Sequence, residues 1–311
     1  MTFSNSAPPS PPATAPCRGW DTLLAWYFVT IWGSGFLATK TGLQYAAPFT
    51  FLSLRFAFGL ALLVPLVLWR PPAWPAPGRE LWHVIVAGLL MHALHLGGSH
   101  YAQYLGMSAG VAALILALQP VITAVVATRW LGEMPAQRQW LGLALGLAGV
   151  ALVVWHKFDL RELDTGSLVG IVIALVALTA GTLYQRHFCP TVDLRAAAVI
   201  QFAVTLAVLA PLGVAVEDFE VRWTWPLLGS IAFLVIGASI LAISALHTLM
   251  RHGEATRVTS ILYLTPILAV ALEYLMFDVT PGALTLAGIA ITCVGVALTT
   301  WRSAPRVGTP D

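Results

Sequence analysis

His92, His95 and Ser99 recur at i, i+3 and i+7 in an apolar stretch, so a helix there carries all three on one face. Polar groups aligned in this way must meet protein or water, because a charge placed in hydrocarbon costs about 3 kcal/mol or more. The face therefore lines a cavity or seals a helix contact, and histidines bonded between helices are the alternative to histidines that touch a ligand. Zinc ligation by His92 and His95 is a third reading, but no cysteine or carboxylate stands nearby to complete a set. Trp32 lies beside Gly33, Ser34 and Gly35, where small residues leave room for a ligand against a wide aromatic ring; ordinary packing competes with that role. Tyr101 follows the histidines as a further lining residue or as an interfacial anchor.

Arg55 and Glu273 are ionisable residues inside apolar runs, a placement that marks function or pairing. They contact substrate or each other; the competing account, a structural salt bridge or snorkelling, fits Glu273 better. Gln119-Pro120 and Thr265-Pro266 occupy matched places in two other runs. Each proline frees a carbonyl one turn earlier, which suits a binding site or a hinge at Pro120 and Pro266, or a kink satisfied by neighbouring helices. Ser244 adds a hydroxyl in the second half of the chain.

The elements that position these side chains follow from composition. Of 311 residues, 58% are hydrophobic and 10% charged, with a mean hydropathy of +0.82. Such a chain has lipid as its solvent and leaves little length for a soluble domain. Three scattered cysteines give neither a disulfide framework nor a metal spacing. Apolar runs fall at 21–40, 48–69, 81–104, 108–129, 137–156, 166–186, 194–215, 226–249, 255–276 and 282–301. They show no two-residue alternation, so they span as helices and not as a barrel. The first 17 residues have neither a basic nor an apolar signal region, and no cleaved leader is expected. Of the sixteen Lys and Arg residues, eleven fall on the side of the N-terminus, four on the opposite side, and Arg55 within a span. That bias predicts cytoplasmic termini in a cell inner (plasma) membrane.

Sliding the sequence by 146 residues pairs Pro65 with Pro211, Pro120 with Pro266 and Pro135 with Pro281 without a gap. The same shift pairs Gly35 with Gly181, Phe56 with Phe202, Gly142 with Gly288, Gly149 with Gly295 and Trp155 with Trp301. Five spans per copy force the second copy into the membrane upside down. The expected fold is an all-α integral membrane protein of ten transmembrane helices, arranged as two inverted five-helix repeats. The expected organisation is a disordered tail at 1–20, repeats at 21–156 and 166–302 joined by a linker at 157–165, and a cytoplasmic tail at 303–311. Inverted halves around a shared midplane site are the architecture of alternating access.

Several segments resemble the drug/metabolite transporter superfamily in its EamA-type, ten-helix branch. They are Trp32-Gly33-Ser34-Gly35-Phe36, Leu54-Arg55-Phe56, Ala117-Leu118-Gln119-Pro120 with Gly132-Glu133, and Gly142 to Gly149-Val150. The second copy departs from the pattern, with Gln201 opposite Arg55 and Val279 opposite Glu133. The resemblance implies secondary transport, often export, of amino acids or related metabolites, with no bound cofactor.

No phosphate-binding Gly-x-x-x-x-Gly-Lys run occurs, which removes ATP-driven pumping, and nothing points to nucleic acid. Residues 22–40 carry no acid, so cationic drugs are disfavoured against zwitterionic or neutral metabolites; a multidrug or other permease of the same fold is the alternative. A Ser34/histidine dyad would make an intramembrane enzyme, but catalysis has no need of inverted halves. Glycine stripes at Gly142, Gly146 and Gly149 and at Gly288 and Gly295 suit close helix packing, within the chain or in a homodimer.

Overall fold

The computed structural model describes residues 18–107, 109–130, 135–155, 164–242, 264, 267–268, 271, 280 and 282–300. Among them the only non-helical pairing is a single bridge between Ala46 and Val221. The helices are α1 (Arg18–Gly42), α2 (Pro48–Trp69) and α3 (Arg79–Gly88, then a π-helical stretch Leu89–Leu94, then His95–Tyr104). Then come α4 (Ala109–Leu116), α5 (Gln119–Trp130) and α6 (Gln137–Val154). The second copy provides α7 (Thr165–Phe188), α8 (Leu194–Glu217), α9 (Trp225–Ala232, π-helical over Phe233–Ala242) and α10 (Ala283–Thr300).

Lipid offers no hydrogen bonds, so each run closes its backbone internally as a helix. The ends are tied by side chains. Asp164 accepts from Gly166 N at 2.9 Å and Asp193 from Arg195 N at 2.9 Å, satisfying amides that a helix leaves open. Exposed tryptophans mark both membrane surfaces: Trp69, Trp74 and Trp82 on the face from which α1 starts, here the near face, and Trp155, Trp223 and Trp225 on the far face. Between these belts, Leu62, Leu66, Val172, Val176 and Val208 point outward, as side chains against acyl chains should.

Helix pairs repeat the 146-residue shift. Gly142 of α6 meets Gly295 of α10, where a Cβ would stand 2.6 Å from the carbonyl oxygen; Gly149 meets Gly288 in the same way at 2.6 Å. Each contact is the image of the other with the helices exchanged. In α3 and α7, Gly98 and Gly170 approach so that a Cβ on Gly98 would lie 2.5 Å from Gly170 O. Small residues let backbones touch where lipid gives helices no hydrophobic reason to associate.

α2 and α8 run antiparallel at the centre. Phe56 and Phe202, mates under the shift, meet edge to face at 5.0 Å between centroids. At the far end, Glu217 accepts from Phe49 N (2.9 Å) and from Thr50 N and Thr50 Oγ (both 2.7 Å). At the near end, Arg195 donates to Arg70 O at 3.0 Å. Arg195 is the shift-mate of Phe49 and Glu217 that of Pro71, next to Arg70, so the two ends correspond to within one residue and carry different chemistry.

Two features differ from the bare run lengths. The fourth run, 108–129, is two helices, because the chain turns at Ala117-Leu118 ahead of Pro120; the pyrrolidine nitrogen cannot donate and its ring crowds the preceding turn. The third run contains the π-helical stretch Leu89–Leu94, and the shift carries 89–94 onto 235–240, inside the π-helical part of α9.

Candidate functional site

The polar residues of α2, α3 and α8 meet around the Phe56–Phe202 pair. Gly88 lets the chains approach: a Cβ there would lie 2.8 Å from Gln201 Cα. Gly59 likewise leaves room for the Phe202 ring, with a Cβ 2.9 Å from Cε2. His92, inside the wide π-helical turn, donates from Nε2 to Gln201 Oε1 at 3.3 Å, and Gln201 Nε2 donates to Gln185 Oε1 at 3.2 Å. Phe56 and Phe202 each present an edge-to-face contact to the His92 ring at 5.5 Å. The result is a chain of polar groups from α3 through α8 to α7, buried at His92 and Gln201, half-buried at Gln185, and walled at His92 by two phenylalanines.

His95, three residues on, addresses another helix, donating from Nδ1 to Ala174 O of α7 at 3.2 Å. The expected common face of His92, His95 and Ser99 is thus divided between neighbours, and all three are buried. His100, which spacing alone did not single out, is buried beside them. Its Nε2 lies 3.4 Å from Thr39 Oγ1 of α1, and its ring faces Phe51 at 6.2 Å. Arg55, 6% exposed, is buried in α2 with its guanidinium carbon 5.9 Å from the Phe56 ring centroid. Its shift-mate is Gln201, so one copy brings a cation to the axis and the other an amide.

Tyr101 lies toward the far end of α3, half-buried and stacked on Phe49 at 5.8 Å and 5°. Gln119 opens α5 at 2% exposure, just ahead of Pro120, and its Oε1, like Thr123 Oγ1 one turn later, has no partner among the described residues. Buried acceptors and hydroxyls of this kind are costly, and they mark α5 as a wall with polar capacity to spare. Ser34 donates its hydroxyl to Thr30 O of its own helix at 2.7 Å. The side chain of Trp32, and all of Ser244, Thr265, Pro266 and Glu273, lie outside the described residues.

Gln185 and His100 are the members that sequence reasoning missed. Gln201 was visible as the mate of Arg55, whereas Gln185 had no signal beyond being polar near a span end. Among the described residues no three of His, Cys, Asp and Glu come together as a metal site.

Two copies inverted about a phenylalanine pair, with glycine-tight helices on either side, define a membrane protein built for exchange between its two surfaces. The EamA-like transporter family model matches residues 20–155 and again 165–301, and the chain belongs to that family. The transporter YvbV of Bacillus subtilis is 27% identical over 285 residues, covering 90% of this chain and 92% of the relative. The inner membrane transporter YedA of Escherichia coli K12 is 26% identical over 242 residues, 78% of each chain. An E. coli K12 protein named "Probable amino-acid metabolite efflux pump" is 23% identical over 304 residues, covering 93% and 98%. A solved crystal structure matches with a TM-score of 0.73 over 91% of this chain and 98% of its own at 20% identity, a likeness of fold.

Proposed function

We propose that this transporter exports small zwitterionic or neutral metabolites, amino acids with aromatic or apolar side chains foremost, by alternating access in a cell inner (plasma) membrane with both termini cytoplasmic. The observation that carries the reading is His92, bonded to Gln201 and edge to face with both Phe56 and Phe202 where the two inverted halves meet, with the Arg55 guanidinium 5.9 Å from the Phe56 ring centroid; His95 and Ser99, buried on the same helix, belong to the proposed lining. Substrates of inverted-repeat carriers sit at such a midplane junction. A buried guanidinium suits a carboxylate, amides and imidazoles suit an ammonium or its hydrogen-bond equivalents, and aromatic edges suit an apolar side chain. Gln119 and Tyr101, with Trp32, Ser34, Thr265 and Ser244, complete the proposed lining, and Pro120 and Pro266 serve as hinges.

The assay is counterflow of a panel of labelled amino acids in liposomes holding the purified protein. Counterflow of an aromatic or aliphatic member, lost on Arg55→Gln with folding intact, supports the reading; failure of the whole panel beside flux of another metabolite class removes amino acids as substrates. Accessibility labelling of single cysteines at both termini tests the orientation. The efflux-pump name of the E. coli relative agrees with the direction proposed.

A further inference from the structure

Away from the central layer, the near face carries a cleft of about 420 Å³ between the start of α3, the end of α7 and the link to α8. It is a shallow recess, broadly open to its surroundings, and suits a headgroup held at a surface and not an enclosed ligand. Arg79, Glu80, His83, His187, Phe188 and Thr191 line it. The wall is built from rings: His83 lies flat on Phe188 at 4.5 Å and 13°, its Nδ1 is 2.6 Å from the Tyr184 hydroxyl, and His187 meets Phe188 edge to face at 4.6 Å. Glu80, the only acid among the described lining residues, accepts from Ala76 N of its own chain at 2.6 Å. Arg79, the two imidazoles and the Thr191 hydroxyl are the donors that an incoming ligand meets, with the Glu80 carboxylate at the same wall, and they suit the oxygens of a phosphate bound at Arg79.

The position of the cleft identifies the source of that anion. Trp82, beside His83 in sequence, is 59% exposed, and Trp69 and Trp74 stand exposed on the same face. Tryptophans of this kind sit at headgroup level, which puts the cleft in the headgroup layer. Arg70, over the Trp69 ring at 4.8 Å, adds charge on this face. Basic pockets between transmembrane helices hold acidic headgroups, and a guanidinium fits phosphate with paired donors.

We propose that this cleft binds the phosphate headgroup of an anionic phospholipid from the leaflet at the near face. The headgroup would tie α3, which carries His92 and His95, to α7, which carries Gln185 and Ala174, so lipid charge would set how firmly the two halves are held at this end.

The test is thermal unfolding of the full-length protein in uncharged detergent, with phosphatidylglycerol, phosphatidylcholine or inorganic phosphate added in turn. Phosphatidylglycerol is expected to raise Tm on the order of 5 °C, with the other two giving little. Arg79→Gln should lose at least half of that rise, while Arg129→Gln, at the near end of α5 and not among the cleft's lining residues, keeps it. A full rise in Arg79→Gln, or an equal rise with phosphatidylcholine, overturns the proposal; an equal rise with inorganic phosphate replaces the lipid by a free anion and overturns it too. Should Arg79→Gln not fold, His187→Ala at the exposed rim takes its place, with retained phosphatidylglycerol counted by native mass spectrometry. Undiminished lipid retention in that variant decides against the site.

Discussion

Glu217, the last residue of α8, holds Thr50 in the first turn of α2 through both its amide and its hydroxyl, each at 2.7 Å. α2 has no side-chain cap of its own, since Ala47 precedes it. Its open amides are therefore closed by a carboxylate 167 residues later, where a helix N-terminus also favours negative charge. Glu217→Ala should cost about 1–3 kcal/mol and lower the thermal midpoint, and Thr50→Val should lose a smaller part of the same energy. If the two losses add fully in the double variant, the residues are not coupled.

Gly149 of α6 and Gly288 of α10 leave no space for a side chain: a Cβ on Gly149 would stand 2.6 Å from both Gly288 O and Thr292 N. Gly149→Leu must push the helices apart, at a cost of about 1–3 kcal/mol or more. Gly229 of α9 has nothing within 4 Å, so Gly229→Ala should leave the unfolding temperature unchanged or slightly higher. Equal behaviour of the two variants would show that α6 and α10 are not in contact as described.

Arg55 and Gln201 are mates across the pseudo-two-fold, and Arg55→Gln makes the two copies alike at the axis. Removing a charged hydrogen-bonding group from a substrate site costs about 1.5–3 kcal/mol, so counterflow should fall by about 10-fold to 100-fold. Arg55→Lys should restore only part of it, because an ammonium lacks the planar fork. Unchanged transport in Arg55→Gln would remove this residue from the proposed site.

Asp193 lies outside the bilayer at the start of α8, where hydrogen bonding from Arg195 holds its carboxyl below the usual carboxylate range. A carboxylate whose folded pKa is depressed contributes stability above its unfolded pKa of about 3.9 and loses that contribution as pH falls through the folded value. Acidification below about pH 4 should therefore loosen the near end of α8, read as lower amide protection there relative to the intrinsic exchange rate at each pH. Asp193→Asn should flatten that response while leaving the far end of α8 unchanged. The pair is partly solvent-exposed at the end of the helix, so the effect is local.

The helical runs and the inverted repeat were legible because lipid imposes one solution on long apolar stretches, and because Pro65/Pro211 and Gly142/Gly288 preserve the register. Arg55, His92 and His95 stood out for the same reason, as polar residues in a medium that rejects them. Spacing said nothing of the Glu217 cap, which lies at a span end where an acid is unremarkable. Nor did it show Gln185, whose meaning depends on Gln201 sixteen residues away reaching it from another helix. The placing of His92 and His95 on one face assumed 3.6 residues per turn, and Leu89–Leu94 does not keep that period.

That wide turn in α3 sets the azimuth of everything beyond it. Each residue of a helix advances the chain by about 100°, so one residue fewer between Leu89 and Leu94 would swing His95, Ser99 and His100 around the axis by that angle. His95 would leave the Ala174 carbonyl, and His100 would leave Thr39. The number of residues in this stretch, as much as their chemistry, decides which neighbours the histidines address, and the matching stretch in α9 places the same demand on the inverted copy.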